Sequence, residues 1–253
     1  MNCWEKIWNE KGAIDDNENF EGMSAEAVFC RLKELMGITV FDGNGVTVND
    51  FVVQFERNIR EMIFSPVGNF EPQSFFDLGC GTGSYLFLLQ KKFPCAKLGG
   101  ADFSKGFIGT ASRVIANPLE LCDCEASGID TSLKYDVVYS RSIFQYFPDK
   151  AYAEKVVRLM LAKSNYSTAI LDVHDIEKEQ EFLDYRRSKV EDYDKKYSDT
   201  RHLFLPKEMF LKIAAENNCS VKFAHSHLPG YWNDRFTYDV YMFRENALSF
   251  DGS

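Results

Sequence analysis

The stretch Phe75-Phe76-Asp77-Leu78-Gly79-Cys80-Gly81-Thr82-Gly83-Ser84 sets an apolar, β-prone run directly against a glycine-rich turn, and the residues after it read as a helix. Glycine at three alternate positions lets backbone approach a ligand without a Cβ in the way, and it leaves N–H groups free at the helix start. The spacing is D-x-G-x-G-x-G. A dinucleotide fingerprint, G-x-G-x-x-G, would need glycine at 84, where this chain has Ser84. Asp77, Gly79, Gly81 and Gly83 are therefore candidate cofactor contacts of a kind other than a nicotinamide site. Nineteen residues after Gly83 stands Asp102, in Gly99-Gly100-Ala101-Asp102-Phe103-Ser104 at the end of the next apolar run. An acid there can accept both hydroxyls of a ribose, although Asp102 or Ser104 could equally cap the following helix.

Outward from that stretch, short β-rich runs alternate with helical ones, the signature of a parallel sheet built from right-handed crossovers. Strands are expected at 74–78, 96–101, 118–122, 135–140 and 167–173, with helices near 84–92, 104–115 and 149–163, closed by turns such as Phe93-Pro94 and Asn117-Pro118. A further helix, 206–218, opens at Pro206. Two β-rich runs, 220–227 and 235–243, are joined by a loop without a helix, so they should pair antiparallel. The expected fold class is α/β, a doubly wound sheet with a helical cap over residues 1–70 and a main domain over 71–253. In the cap, Phe51, Val52, Phe55, Ile59, Met62 and Ile63 recur at helical spacing behind Asp50, a possible N-cap. Residues 176–205, charged and longer than a crossover needs, read as a lid-like helical insertion.

Leu121-Cys122-Asp123-Cys124-Glu125-Ala126 ends the third strand, and Tyr135-Asp136-Val137-Val138-Tyr139-Ser140-Arg141-Ser142 forms the fourth. With these in series, residues 70 to about 245 resemble the class I S-adenosylmethionine-dependent methyltransferases. The resemblance implies a seven-stranded, mostly parallel, Rossmann-like sheet with an antiparallel last strand and S-adenosylmethionine as cofactor. It implies that the loop Gly79–Gly83 cradles the methionine moiety, that Asp102 binds the ribose and that Asp123 reaches the adenine amine. Phe103, Cys124 (through backbone) and Ser140 complete the implied cofactor set. Trp4-Glu5-Lys6-Ile7-Trp8-Asn9-Glu10-Lys11-Gly12 looks like the opening segment of small-molecule methyltransferases, some of them sugar-modifying, in which it folds over the cofactor; Trp8 joins the set on that ground. Where many relatives carry a histidine after the fourth strand, this chain has Gln145, which cannot act as a base.

Charge narrows the acceptor. A formal net charge of -9 and a pI near 5.1 repel phosphate backbones and anionic membranes, so a small-molecule acceptor is expected and a nucleic acid or membrane partner is not. The cluster Arg186, Arg187 and Lys189 sits among acids and reads as a solvated helix face. Seven cysteines, none in a C-x-x-C pair, fit a reducing compartment without a disulfide framework or zinc site. With no signal-like or membrane-spanning run, a cytoplasmic location is expected.

A hydroxyl acceptor needs its proton removed. His174, at the end of the fifth strand, and His202, after the insertion, are the candidate bases. Asp175, Tyr185, Tyr231 and Trp232 lie in the segments expected to shape the acceptor pocket. His225 and His227 share one side of an alternating strand and with Asp175 suggest a metal site, but without a third ligand at recognisable spacing none is assigned. The expected activity is O-methylation of a sugar or other polar metabolite. N-methylation, a nucleotide-dependent oxidoreductase or epimerase, and a non-catalytic cofactor-binding protein are the alternatives.

Overall fold

Seven strands build one sheet in the computed structural model, which describes residues 3–12, 18–38, 46–65, 68–69, 71–225, 228 and 230–245. They are β1 (Ser74–Leu78), β2 (Lys97–Asp102), β3 (Glu120–Asp123), β4 (Tyr135–Arg141), β5 (Ser164–His174), β6 (Cys219–His225) and β7 (Thr237–Arg244). Their order across the sheet is β3-β2-β1-β4-β5-β7-β6. All neighbours run parallel except β7, which is antiparallel to both β5 and β6. The order reverses between β1 and β4, and in such a sheet the crevice at the carboxyl ends of those strands is where ligands bind.

Both faces of the sheet are covered, so the central strands read as nearly unbroken apolar runs. On one face Phe75, Val137, Tyr139, Ala169 and Leu171 pack with α2 (Ala25–Leu35), α3 (Val48–Ile63) and α4 (Ser84–Lys92). On the other, Phe76, Leu78, Val138 and Ile170 pack with α6 (Lys150–Lys163) and α9 (Lys207–Glu216). The remaining helices are α1 (Cys3–Lys11), α5 (Lys105–Val114), α7 (Glu179–Lys189) and α8 (Tyr193–Lys196).

Several boundaries differ from expectation for local reasons. The α3 helix starts ahead of Asp50: the Thr47 hydroxyl accepts from the Asp50 N–H, and the Asp50 carboxylate accepts from the Thr47 N–H at 2.8 Å. This reciprocal box makes Thr47 the cap and Asp50 its partner. Strand β5 begins three residues early because α6 runs into it without a loop; Ser164 is both helix cap and first strand residue. The 3₁₀ turn Asp234–Phe236 delays β7 to Thr237. Residues 226 and 227, the end of the expected strand 220–227, lie outside the described residues, as do Asp42-Gly43-Asn44-Gly45.

One irregularity matters for the site. Between Ile170 and Val173 on β5 and Val240 and Tyr238 on β7, three steps on one strand face two on the other. This is a bulge of one residue, and Asp172 within it has φ +59°. A bulge re-aims its side chain, and one extra residue flips the faces of all that follow.

Candidate active site

The glycine loop folds as its composition requires. Gly79, Gly81 and Gly83 have φ of +81°, +52° and +82°. A Cβ at Gly79 would stand 2.6 Å from Ile143 Cγ2, and one at Gly81 would stand 2.7 Å from Met36 Cε. The Gly79 and Cys80 N–H groups donate to the Ala101 carbonyl, which ties the loop to β2. Asp102 closes the structure: its carboxylate accepts from Gly81 N–H and Ser104 N–H, both at 2.9 Å. Burial pushes Asp102 up to about 6, opposed by those two donors. Asp77 lies beneath the loop, accepts from the Tyr139 hydroxyl at 2.9 Å and is pushed up to about 7 by burial.

Above the carboxyl ends of the strands is a cavity of about 510 Å³. Gly79, Asp102, Phe103, Phe107, Cys124 and Glu125 line it at the cofactor-loop end. Among the expected contacts, Gly79, Asp102, Phe103, Cys124 and Trp8 line the cavity, whereas Asp77, Gly81, Gly83 and Ser140 support it from outside the lining. Asp123 is exposed and also outside the lining; its neighbours Cys124, Glu125 and Ala126 face the space instead. Helix α1 covers this end with Trp4, Ile7, Trp8 and Lys11. It docks where Gly12 meets Gly106, so closely that a Cβ on Gly106 would fall 1.6 Å from the Gly12 carbonyl oxygen. The Trp8 indole nitrogen is buried without a hydrogen-bond partner, a donor that a bound ligand can satisfy.

At the other end, Arg141, Ser142, Tyr146, Asp172, Tyr231 and Asn233 line the same cavity. They front a buried polar network drawn from six elements. Arg141 holds its Nε 3.0 Å from Asp172 Oδ2, donates from Nη2 to Gln54 Oε1 at 2.6 Å and lies 4.6 Å over the Tyr85 ring. Ser142 Oγ donates to Asp172 Oδ2 at 2.5 Å, and the Asp172 N–H donates to Asp239 Oδ1 at 2.9 Å. Burial, then the neighbouring Asp172, raises Asp239 to about 7. From α2, the buried Lys33 ammonium sits over Phe29, Phe51 and Tyr85; burial and Arg141 bring it down to about 7. The Tyr231 hydroxyl is held high first by burial and then by Asp172.

None of Lys33, Gln54, Asn58, Arg141, Asp172 and Asp239 stood out as a site residue in the sequence. A signal was there. Gln54 and Asn58 fall on the stripe of α3 that also carries Phe51, Phe55 and Met62, and all five are buried. A polar side chain at a core position needs a polar partner, so such misfits mark buried networks.

The two candidate bases are not in the cavity lining. His174 is buried against Phe182 and Phe204, with its Nε2 3.1 Å from Asn233 Nδ2. Burial lowers it to about 3. His202 stacks on Trp4 at 5.2 Å and meets His174 at 4.9 Å; burial, then Arg186, lowers it to about 4. Asp175 caps the turn Ile176–Lys178 and pairs with Lys207 at 3.1 Å. Tyr185 and Trp232 stack on each other at 5.5 Å and tie α7 to the loop before β7, outside the lining; Tyr231 alone of that expected group lines the cavity. His225 is exposed and 3.9 Å from Asp234, and His227 lies outside the described residues. Among the described residues no group of three His, Cys, Asp or Glu could hold a metal, and no helix is long and apolar enough to cross a membrane.

Residues 76–165 match the family model of a methyltransferase domain. The malonyl-[acyl-carrier protein] O-methyltransferase of Hahella chejuensis is 27% identical over 156 residues, which cover 59% of this chain and 49% of that protein. The trans-aconitate 2-methyltransferase of Variovorax paradoxus is 35% identical over 74 residues, 29% of this chain and 28% of that one. The chain thus spans half the length or less of these relatives. Among solved structures, the N-methyltransferase NodS from Bradyrhizobium japonicum, in complex with S-adenosyl-L-homocysteine, superposes with a TM-score of 0.58 at 13% identity, covering 95% of this chain and 97% of that one. The glycine loop and Asp102 stand on the sheet order of the class I methyltransferase fold, and residues 76–165 carry the match to a methyltransferase domain.

Proposed function

We propose that this protein methylates a carboxylate oxygen of a small organic acid. The observation that carries the reading is Arg141, a buried cation fronting the cavity that Gly79 and Asp102 line at the cofactor end. Gln54 accepts from its Nη2 and Asp172 pairs with it at 3.0 Å beside Nε, and among the described residues neither Nε nor Nη1 has a hydrogen-bond partner. A guanidinium held in this way recognises a carboxylate.

S-adenosylmethionine supplies a methyl group on a positively charged sulfur, and a carboxylate oxygen accepts it with no proton to remove. The cavity therefore needs only to hold the two groups on one axis and exclude water. That fits imidazoles that stay neutral and outside the lining. Asp102, Phe103, Cys124 and Trp8 would hold the cofactor; Arg141 and Tyr231 would hold the acceptor. The relatives' names support the reading from a different side, since malonyl and trans-aconitate are both acid acceptors.

A sugar or other polar hydroxyl, the acceptor suggested by the sequence, is the second reading. What favours it is Asp172, a carboxylate in the cavity lining that could take a hydroxyl proton. The product separates the two. With methyl-labelled cofactor and a panel of di- and tricarboxylates including trans-aconitate, the first reading predicts a product that releases labelled methanol in mild alkali. Label transferred only to sugars, as alkali-stable ether, would overturn it.

A further inference from the structure

Two residues facing one another across β4 and β5 depart from strand geometry together. Ser142 has φ +56° and Asp172 has φ +59°. Neither is glycine, and each holds a backbone region that costs energy for a side chain. They sit in register one step past the pair Arg141–Leu171, with Ser142 N–H bonded to the Leu171 carbonyl at 3.1 Å. Their side chains bond to each other at 2.5 Å. Asp239 catches the Asp172 N–H that the bulge removes from the ladder. The same Asp172 oxygen that accepts from Ser142 stands 3.0 Å from Arg141 Nε.

Strain held at two neighbouring cavity-lining residues and compensated by a third buried acid is strain with a geometric product. A regular β5 would carry Asp172 on the pleat with no bulge to turn it. With the bulge, and with Ser142 left-handed, one carboxylate oxygen meets both the Ser142 hydroxyl and the Arg141 Nε. Arg141 lines the cavity with its Nη2 committed to Gln54 and, among the described residues, its Nη1 without a partner.

We propose that Ser142 and Asp172 are positioning residues: a strained pair whose geometry aims Arg141 at the acceptor. The aim is stated for the carboxylate acceptor proposed above and rests on that reading, but the pair's hold on Arg141 does not. Ser142→Gly tests both. Glycine adopts φ +56° without penalty, so the variant removes the hydroxyl while keeping the backbone conformation. In protein labelled with ¹⁵N-arginine and saturated with S-adenosyl-L-homocysteine, the Arg141 guanidinium N–H resonances, assigned by their loss in Arg141→Lys, should exchange with water at least about tenfold faster in Ser142→Gly. With trans-aconitate as acceptor, KM should rise about tenfold, with kcat and cofactor affinity close to wild type.

Asp172→Asn, which tolerates the left-handed backbone but lacks the charge, should show the same loosening of Arg141. A folded Ser142→Gly protein with unchanged Arg141 exchange and unchanged KM would overturn the proposal, because the strain would then serve the fold alone. Faster Arg141 exchange in a protein that makes no ester from any acid would leave the pair's role standing and remove the acceptor reading.

Discussion

Replacing Arg141 by Gln should separate the acceptor site from the cofactor site. The guanidinium is almost enclosed, its side chain 13% exposed, beside an Asp172 side chain 11% exposed, and it contacts Asp172, Gln54 and the Tyr85 ring. Two consequences follow from that burial. A hydrogen bond to a charged group in such a place contributes about 1.5–3 kcal/mol, so KM for the acid should rise about 10- to 150-fold. Removing one partner of a buried pair also strands the other, which typically costs the fold about 3–5 kcal/mol. Lys33 stands nearby and should soften that cost. The assay is methyl ester formation against acceptor concentration, with S-adenosyl-L-homocysteine binding measured calorimetrically on the same preparation. The cofactor constant should stay within about twofold, because Asp102 and the glycine loop do not touch Arg141. A second variant, Arg141→Gln with Asp172→Asn, removes the stranded charge and should recover stability without recovering KM. A folded Arg141→Gln enzyme with unchanged KM would refute the reasoning.

Other outcomes follow from the same geometry. Asp102→Asn presents an amide nitrogen where the carboxylate accepted from two N–H groups, so cofactor binding should weaken by at least about 1.5–3 kcal/mol by calorimetry. Gly106→Ala places a Cβ against the Gly12 carbonyl, so docking of α1 should lose about 1–3 kcal/mol, read as a red shift of tryptophan emission and weaker cofactor binding. His174 is lower in the fold, about 3, than in an unfolded chain, about 6.5. Its contribution to stability is therefore full above pH 6.5 and is lost as pH falls from there toward 3. Asp77, Asp102 and Asp239 are raised and work in the opposite sense, so the test is a difference: Tm of His174→Gln should fall less steeply than wild type between pH 7 and 4.5.

The sheet, the glycine loop and the acid that closes it were legible because local signals agree there. Glycine spacing, the acid at the end of β2 and the alternation of elements all describe one crossover unit, and each depends on residues near in sequence. The acceptor end was not, because it is assembled over long separations. Arg141 meets Gln54 across 87 residues, and Asp172 meets Asp239 across 67. His174 is placed at the crevice because it ends a parallel strand, and that position does not say which way the side chain faces; the imidazole packs against Phe182 and Phe204 instead. Asp123 and Glu125 show the same limit at a smaller scale: Asp123 ends β3, Glu125 follows it, and which one faces the cavity depends on how the chain turns there.

The central claim is that Gly79, Asp102 and the cavity above them hold S-adenosylmethionine. Calorimetric titration of the purified protein tests it most directly. S-adenosylmethionine and S-adenosyl-L-homocysteine should bind with dissociation constants on the order of micromolar, about -8 kcal/mol, while NAD and NADP give no heat. Binding of NAD with no binding of either adenosyl ligand would contradict the account.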